Sequence, residues 1–315
     1  MTVSPGRRAG GRTTSSGVRL TAAEPSPRPC RRSAQPDGAD VCHGDGACPA
    51  RHGPPDSLDV VATALVIEND PTDDPRRLGE WLTEAGLELR VLRPYAGDDL
   101  PADLDGYAAL VVLGGEQQPY PGSDGTPGAP WFPALEGLLR KAVRHRVPTL
   151  GICLGGQLLA TAHAGEVVRS PSGPEVGPCV VGKRDAAEAD PLFRYVPLIP
   201  DVIQWHVDEI TELPRGATLL AASTRYPHQA FRMGDRAWGF QFHIECDTAM
   251  IATWAADSAL LAQLGYDPEV VVAACDAVMA DIEEVWQPFA ARFAALALGE
   301  LGDEPPRPTL PLLGH

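Results

Sequence analysis

The sequence predicts an α/β fold. A central, mostly parallel sheet carries helices on both faces, with an added section of mixed or antiparallel strands and a helical C-terminal extension. Between residues 62 and 163, short apolar runs alternate with segments of helical spacing. After Gly165, β-type runs follow one another with few helices between them. From Asp247 onward the helical spacing returns.

Ala62–Ile67 is an apolar run of the kind found in buried parallel strands. The acidic, proline-containing loop Asn69–Pro75 follows. Arg76–Ala85 has Leu78, Trp81 and Leu82 on one helical face, and Gly86 stops it. Leu87–Leu92 is the next strand, and Ala108–Leu113 a third, ending in Gly114-Gly115. Glu116–Pro130 is rich in Pro and Gly and reads as a surface loop. Trp131–His145 is a helix, Pro148–Ile152 a strand and Leu154–His163 a helix. The later β-type runs are Val167–Arg169, Cys179–Lys183, Val202–His206, Thr218–Ala221, Gln229–Arg232 and Trp238–Phe242. Near the end, Val271, Ala274, Val278, Ile282, Val285 and Phe289 form one apolar helix face. Asp267-Pro268 is its start signal, and Pro288 is expected to kink or end it. The stripe is expected to pack on its own domain, with a docked partner or second copy as the alternative.

Composition narrows the function. The chain has 315 residues, enough for a sizeable core. Its net charge of −16 argues against nucleic acid and anionic membranes as partners. No apolar run approaches the ~18 residues of a membrane span, and no secretory signal is visible, so a soluble protein is expected. Seven cysteines, an odd number at irregular spacing, suit a reducing cytoplasm better than a disulfide scaffold. Only Lys141 and Lys183 are lysines, and the remaining basic residues are Arg, a coding bias of GC-rich bacteria. Acidic residues are spread along the chain and read as a solvated surface.

One turn carries chemistry. Gly151-Ile152-Cys153-Leu154-Gly155-Gly156-Gln157 closes a buried strand and opens a helix. A nucleophile there sits on a sharp bend clear of the sheet, and small neighbours let the backbone fold back. The positive end of the following helix favours thiolate over thiol. A lone cysteine is more often a buried structural residue, but glycines flank this one at the tip of a predicted strand. A cysteine nucleophile needs a base. His243 is the best partner, at the end of a predicted strand in Trp238-Gly239-Phe240-Gln241-Phe242-His243-Ile244-Glu245. Glu245 lies two residues on, and in extended chain those side chains point the same way. A carboxylate there holds the imidazole in one tautomer and stabilises the imidazolium. His206 is the runner-up base, and His163 follows the elbow helix.

GICLGGQ together with FQFHIE resembles the class I, or triad, glutamine amidotransferases. Within them the chain is most similar to stand-alone bacterial proteins related to the amidotransferase domain of GMP synthase. The resemblance covers about residues 61–260. It implies a flavodoxin-like sheet and a Cys153–His243–Glu245 triad. It implies an oxyanion hole from the backbone N–H groups of Leu154 and Gly115. It implies substrate contacts by Gln157 and by Asp208, the acid of a stretch resembling the family's His-Gly-Asp. Val207 stands where glycine is usual in that stretch, and Glu116 follows Gly-Gly where proline is frequent. Pro174–Gly177 and His228–Arg232 also match the subgroup, with no catalytic role assigned.

The activity implied is hydrolysis of the glutamine γ-amide through a cysteine thioester, with the ammonia passed to a separate synthase. No metal or organic cofactor is required. The alternatives are a γ-glutamyl hydrolase or peptidase acting on γ-glutamyl amines or peptides, and a catalytically silent sensor or scaffold. No G-x-x-x-x-G-K-[ST] loop occurs, so the ammonia acceptor is expected on a partner protein. Cys42, His43, Cys48 and His52 lack zinc-site spacing, and Cys179, Cys246 and Cys275 read as structural.

Four segments are expected: an N-terminal extension over 1–59, the amidotransferase domain over 60–262, a helical extension over 263–300 and a loose tail over 301–315. The first 60 residues hold eight Pro, eight Gly and no Phe, Trp or Tyr, the composition of a disordered segment. No Met lies between Met1 and Met233, and Val60 or Val61 could be read from an alternative start codon. Residues 1–58 are therefore expected to be dispensable. A chain lacking them should keep full amide-hydrolase activity, and mass spectrometry of the native protein locates its N-terminus.

Overall fold

The computed structural model describes residues 61–256 and 258–301. The expectations for residues 1–59 and for the tail beyond 301 lie outside the described residues. In chain order the elements are β1 (Thr63–Ile67), α1 (Arg76–Glu84), β2 (Glu88–Leu92), β3 (Ala109–Val112), α2 (Phe132–His145), β4 (Thr149–Ile152) and α3 (Leu154–Ala162). Then come β5 (Glu166–Arg169), β6 (Glu175–Val180), β7 (Gly182–Lys183), β8 (Asp201–His206), β9 (Asp208–Glu212), β10 (Thr218–Ala222), β11 (Ala230–Met233) and β12 (Ala237–Phe240). The chain closes with α4 (Thr248–Ala255), α5 (Ala259–Leu264), α6 (Pro268–Asp276) and α7 (Met279–Ala297).

The main sheet has eight strands in the order β2-β1-β3-β4-β12-β11-β10-β7. β2, β1, β3, β4 and β12 run parallel, and β11, β10 and β7 extend the sheet antiparallel. Side chains alternate between its faces. Ala64, Val66, Ala109 and Val111 point into one core with α1 and α7. Leu65, Ile67, Leu110 and Val112 point into a second core with α2 and α3. Burial on both faces is why these strands read as continuous apolar runs. Two ribbons, β5-β9 and β6-β8, complete the mixed section.

The structure departs from expectation in several places. β9 was not predicted. Its sequence Asp-Glu-Ile-Thr-Glu carries one strongly apolar residue, and it is held by pairing with β5. β6 starts earlier than expected and runs through Gly177 and Pro178, which is tolerated in a two-stranded ribbon. Several acids are buried and not solvated. Asp190 is fully buried, pairs with Arg232 at 2.8 Å and accepts from the Leu192 and Phe193 amides at 2.9 Å.

The C-terminal stripe is divided between two helices, because α6 ends in a tight turn where the Val278 amide donates to the Cys275 carbonyl at 3.1 Å. α7 then continues through Pro288 to Ala297. Pro288 and Glu284 are both exposed, so the carbonyl deprived of its helical donor faces water. On the inner side Trp286 and Phe289 pack edge-on to Phe193 at 6.1 and 5.6 Å. The Trp286 indole N–H donates to the Asp201 carbonyl at 2.9 Å. The stripe is therefore core of its own fold. No helix among the described residues is long and apolar enough to cross a membrane.

Replacing either Ile282 (fully buried) or Phe289 (2 % exposed) by Asp should lower stability by more than ~3 kcal/mol. Val270→Asp, at a position 64 % exposed on α6, should change it by less than ~0.5 kcal/mol. Chemical denaturation of the variants measures both.

Candidate active site

In an open parallel sheet, ligands bind beyond the carboxyl ends of the strands. Here those ends carry Asn69–Asp73 after β1, Gly114-Gly115 after β3, Cys153 after β4 and His243–Glu245 after β12. They surround a cavity of about 480 Å³ lined by Asp73, Gly115, Cys153, Gln157, Asp208 and His243 among others.

Cys153 occupies the bend between β4 and α3 with φ 49° and ψ −110°, a conformation that side-chain-bearing residues rarely adopt. Its N–H donates to the Phe240 carbonyl of β12 at 2.8 Å, and its carbonyl accepts from Gln157 N–H at 2.9 Å. The neighbouring glycines have a steric reason. A Cβ on Gly155 would collide with the Val112 carbonyl, and one on Gly156 with the Phe240 carbonyl. Leu154 opens α3, where helix N–H groups have no intrahelical acceptor. Gly115 lies beside it: a Cβ there would come within 3.0 Å of Leu154 Cδ2.

His243 reaches the cavity from the far side. Its backbone exchanges hydrogen bonds with Ile203, N–H to O at 2.8 Å and O to N–H at 3.3 Å. Its Nδ1–H donates to Glu245 Oε1 at 2.6 Å. Glu245 is fully buried, and its Oε2 accepts from the Ile244 amide at 2.9 Å. Among the described residues no group lies within hydrogen-bond geometry of the buried His243 Nε2. Burial by itself disfavours the imidazolium. The charges of Glu245 and Cys153 outweigh it and hold His243 well above the usual histidine range. Trp254 of α4 lies over the imidazole at 4.8 Å between ring centroids.

Gln157 and Asp208 meet on another part of the wall. The Gln157 amide donates to Gln241 Oε1 at 3.1 Å and to the Asp208 carbonyl at 3.4 Å. Asp208 Oδ1 accepts from the Tyr120 hydroxyl at 3.0 Å. Burial raises the Asp208 carboxyl, opposed by Tyr120 and by the nearby Arg169 and His206. His206, the second base considered, instead braces this loop. Its Nδ1 lies 2.8 Å from the Asp208 carbonyl, and its Nε2 3.4 Å from Glu175 Oε2. Glu175 in turn accepts from Gln229 at 2.8 Å, which gives the Pro174–Gly177 and His228–Arg232 stretches a packing role. His163 bonds the Leu159 carbonyl at 3.0 Å and does not line the cavity. Burial pushes the Cys179 and Cys275 thiols up to about 11 and holds Cys246 well above the usual thiol range, so these read as inert. Among the described residues no group of three or more His, Cys, Asp or Glu is placed to hold a metal ion.

Three contributors escaped the sequence reading. Gln241 places its amide 4.0 Å from Cys153 Sγ. Asn69 ties down the β3 end, donating to the Leu113 carbonyl at 2.9 Å. Asp73 is only 6 % exposed and faces the cavity. Burial, reinforced by Glu245 and Asp70 and opposed by His243 and the Trp254 indole, raises its carboxyl to about 7. Its position after the first parallel strand was the available signal.

The Asp73 shift predicts a pH dependence. Unfolded, the carboxyl ionises near its ordinary 3.8, and folded only near 7, so between these values the native state holds the extra proton. Stability contributed by this group therefore falls as pH rises from about 4 to about 7. Asp73→Asn removes that loss, which is on the order of 4 kcal/mol at its upper limit. The variant should match wild type near pH 4 and exceed it at pH 8 in denaturant unfolding.

The chain is similar to known proteins over much of its length. The family model for class-I glutamine amidotransferases matches residues 77–250. The glutamine amidotransferase-like protein YfeJ of Salmonella typhimurium is 34 % identical over 168 residues, which are 53 % of this chain and 68 % of that protein. Gamma-glutamyl peptidase 4 of Arabidopsis thaliana is 31 % identical over 145 residues, 45 % of this chain and 55 % of the peptidase. The chain thus spans little more than half of the plant relative. The crystal structure of a glutamine amidotransferase from Thermotoga maritima superposes with a TM-score of 0.66 at 27 % identity, covering 74 % of this chain and 98 % of that one. With its cysteine elbow, its buried imidazole and this match over more than half its length, the chain belongs to the class-I glutamine amidotransferase family.

Proposed function

We propose that this protein hydrolyses the γ-amide of glutamine through a Cys153 thioester. The observation that carries the reading is a strained elbow cysteine and a buried imidazole lining one cavity, the imidazole held in its charged form by Glu245 and Cys153. His243, protonated and held by Glu245, stabilises the Cys153 thiolate. The sulfur attacks the γ-carbon, and charge develops on the carbonyl oxygen. The N–H groups of Leu154 and Gly115 receive that charge, a contribution of about 3 kcal/mol per donor in comparable sites. His243 gives its proton to the departing nitrogen as the C–N bond breaks. Water, deprotonated by the same imidazole, then cleaves the thioester to glutamate. Asp208 meets the substrate α-ammonium, with Gln157 holding the loop that presents it. The ammonia passes to a separate acceptor protein.

The assignments are tested together. Cys153→Ala should abolish glutamine hydrolysis with an unchanged melting temperature. A glutamine-analogue electrophile should label Cys153 and spare Cys179, Cys246 and Cys275. Glu245→Gln should lower kcat roughly 10²- to 10⁴-fold. Labelling at another cysteine, or hydrolysis that survives loss of Cys153, would refute the assignment.

A further inference from the structure

The scheme above leaves one buried carboxylate of the cavity without work. Gly114 brings Asp73 against the catalytic imidazole. A Cβ on Gly114 would lie 2.8 Å from Asp73 Oδ2 and 3.2 Å from His243 Cε1. A glycine is therefore what keeps open the gap between the carboxylate and the ring. Trp254 covers the same ring from α4, and its indole N–H donates to the Thr72 carbonyl at 3.0 Å, next to Asp73. Trp205 packs on Trp254 at 5.6 Å. Asp208 is held by a different set of partners, Tyr120 and the Gln157–Gln241 pair. The cavity thus presents two carboxylates, one beside the proton donor and one beside Gln157.

A γ-glutamyl amide has two nitrogens that carry positive charge during its hydrolysis. One is the α-ammonium. The other is the leaving nitrogen, neutral in the amide and cationic after it departs. The lining suits both. Glu116 adds a third acid, and among the described residues no Lys or Arg lines the cavity.

We propose that Asp73 is the leaving-amine site, selecting ammonia and amines without a carboxylate over α-amino acids. The proposal deepens the reading that Cys153 attacks a γ-glutamyl amide and rests on it. As the C–N bond breaks, nitrogen takes the proton of His243, and the acyl group stays on sulfur. The free amine takes a second proton from water to become ammonium, and the Asp73 carboxylate accepts its N–H. A leaving amino acid would bring its own carboxylate within two bonds of that nitrogen, close to Asp73, where like charges repel strongly in a water-poor site.

The selection has a direction in pH. The Asp73 charge appears as pH rises through about 7, set by burial and by the groups that face it. These are His243 and Glu245 beyond β12, Asp70 from its own loop and the Trp254 indole from α4. Leaving-group selectivity is therefore weak at pH 6 and strong at pH 8.

The test uses the full chain, wild type and Asp73→Asn, with γ-glutamylmethylamide and γ-glutamylglycine at both pH values. The wild-type ratio of kcat/KM, methylamide over glycine, should rise about tenfold from pH 6 to pH 8. In Asp73→Asn it should change less than about twofold, and Asp73→Glu should restore part of the rise. A wild-type ratio that is flat with pH overturns the proposal. So does a rise that Asp73→Asn retains, or an equal loss on both substrates at both pH values. Failure of the underlying reading looks different: wild type then hydrolyses neither amide nor glutamine, or Cys153→Ala works as well as wild type.

Discussion

The bend at Cys153 is the constraint on which the rest of the site depends. A side-chain-bearing residue at φ 49° is strained on the order of 1–3 kcal/mol and persists only where its surroundings over-determine it. The surroundings here are two parallel strands. The Val112 carbonyl of β3 and the Phe240 carbonyl of β12 press on the first turn of α3 so closely that only glycine fits at 155 and 156. The Cys153 N–H is bonded to one of those same carbonyls. Packing on both faces of the sheet, α1 and α7 on one side and α2 and α3 on the other, holds the strands that impose the bend.

Because β4 lies between β3 and β12, the same geometry decides what else can reach the sulfur. The chain leaving β3 delivers Gly114-Gly115, anchored by Asn69, and the chain leaving β12 delivers His243. His243 is not in a strand. It is fixed by its backbone exchange with Ile203 of β8, so the β6-β8 ribbon is a positioning device for the imidazole. The buried chain of Gln204, Gln229, Glu175 and His206 then links that ribbon to the Asp208 loop. Buried polar groups are tolerated when bonded to one another, and such a network favours one arrangement of the wall.

What was legible in the sequence follows from where the signal is local. The elbow was readable because strand, glycines and helix start are contiguous. Glu245 was readable because two residues of extended chain share a face. The inner parallel strands β1, β3, β4 and β12 were readable because both of their sides are buried, and the edge strand β2 because its polar and apolar residues alternate. β9 was not, since Asp208 and Glu209 are polar and only their pairing and buried surroundings make them strand. The division at Ala277-Val278 was hidden because the apolar steps continue across it, and continuation through Pro288 depended on that residue lying on the wet side. Asp73 and Tyr120 reach the site from chain segments that carry no pattern of their own, and Gln241 lies inside the FQFHIE motif, which by itself does not say that its side chain turns toward the cysteine.

Asp73 also shows why the acid-rich composition misled. Spread along a sequence, acids suggest a solvated surface, yet Asp73, Glu245 and Asp208 are all under a tenth exposed. Three carboxylates around one imidazole would repel one another if all were ionised. The fold separates them by role. Glu245 sits on the imidazole N–H at 2.6 Å, where its charge is answered directly. Asp208 is answered by Tyr120 and Arg169. Asp73 has only an indole and the same, already paired, imidazole, so burial holds its proton into the neutral range. A carboxyl left in that condition lowers the stability of the native state above its unfolded ionisation range. The folding of the chain therefore gives no reason for an acid at this position, and a cation passing through the cavity does.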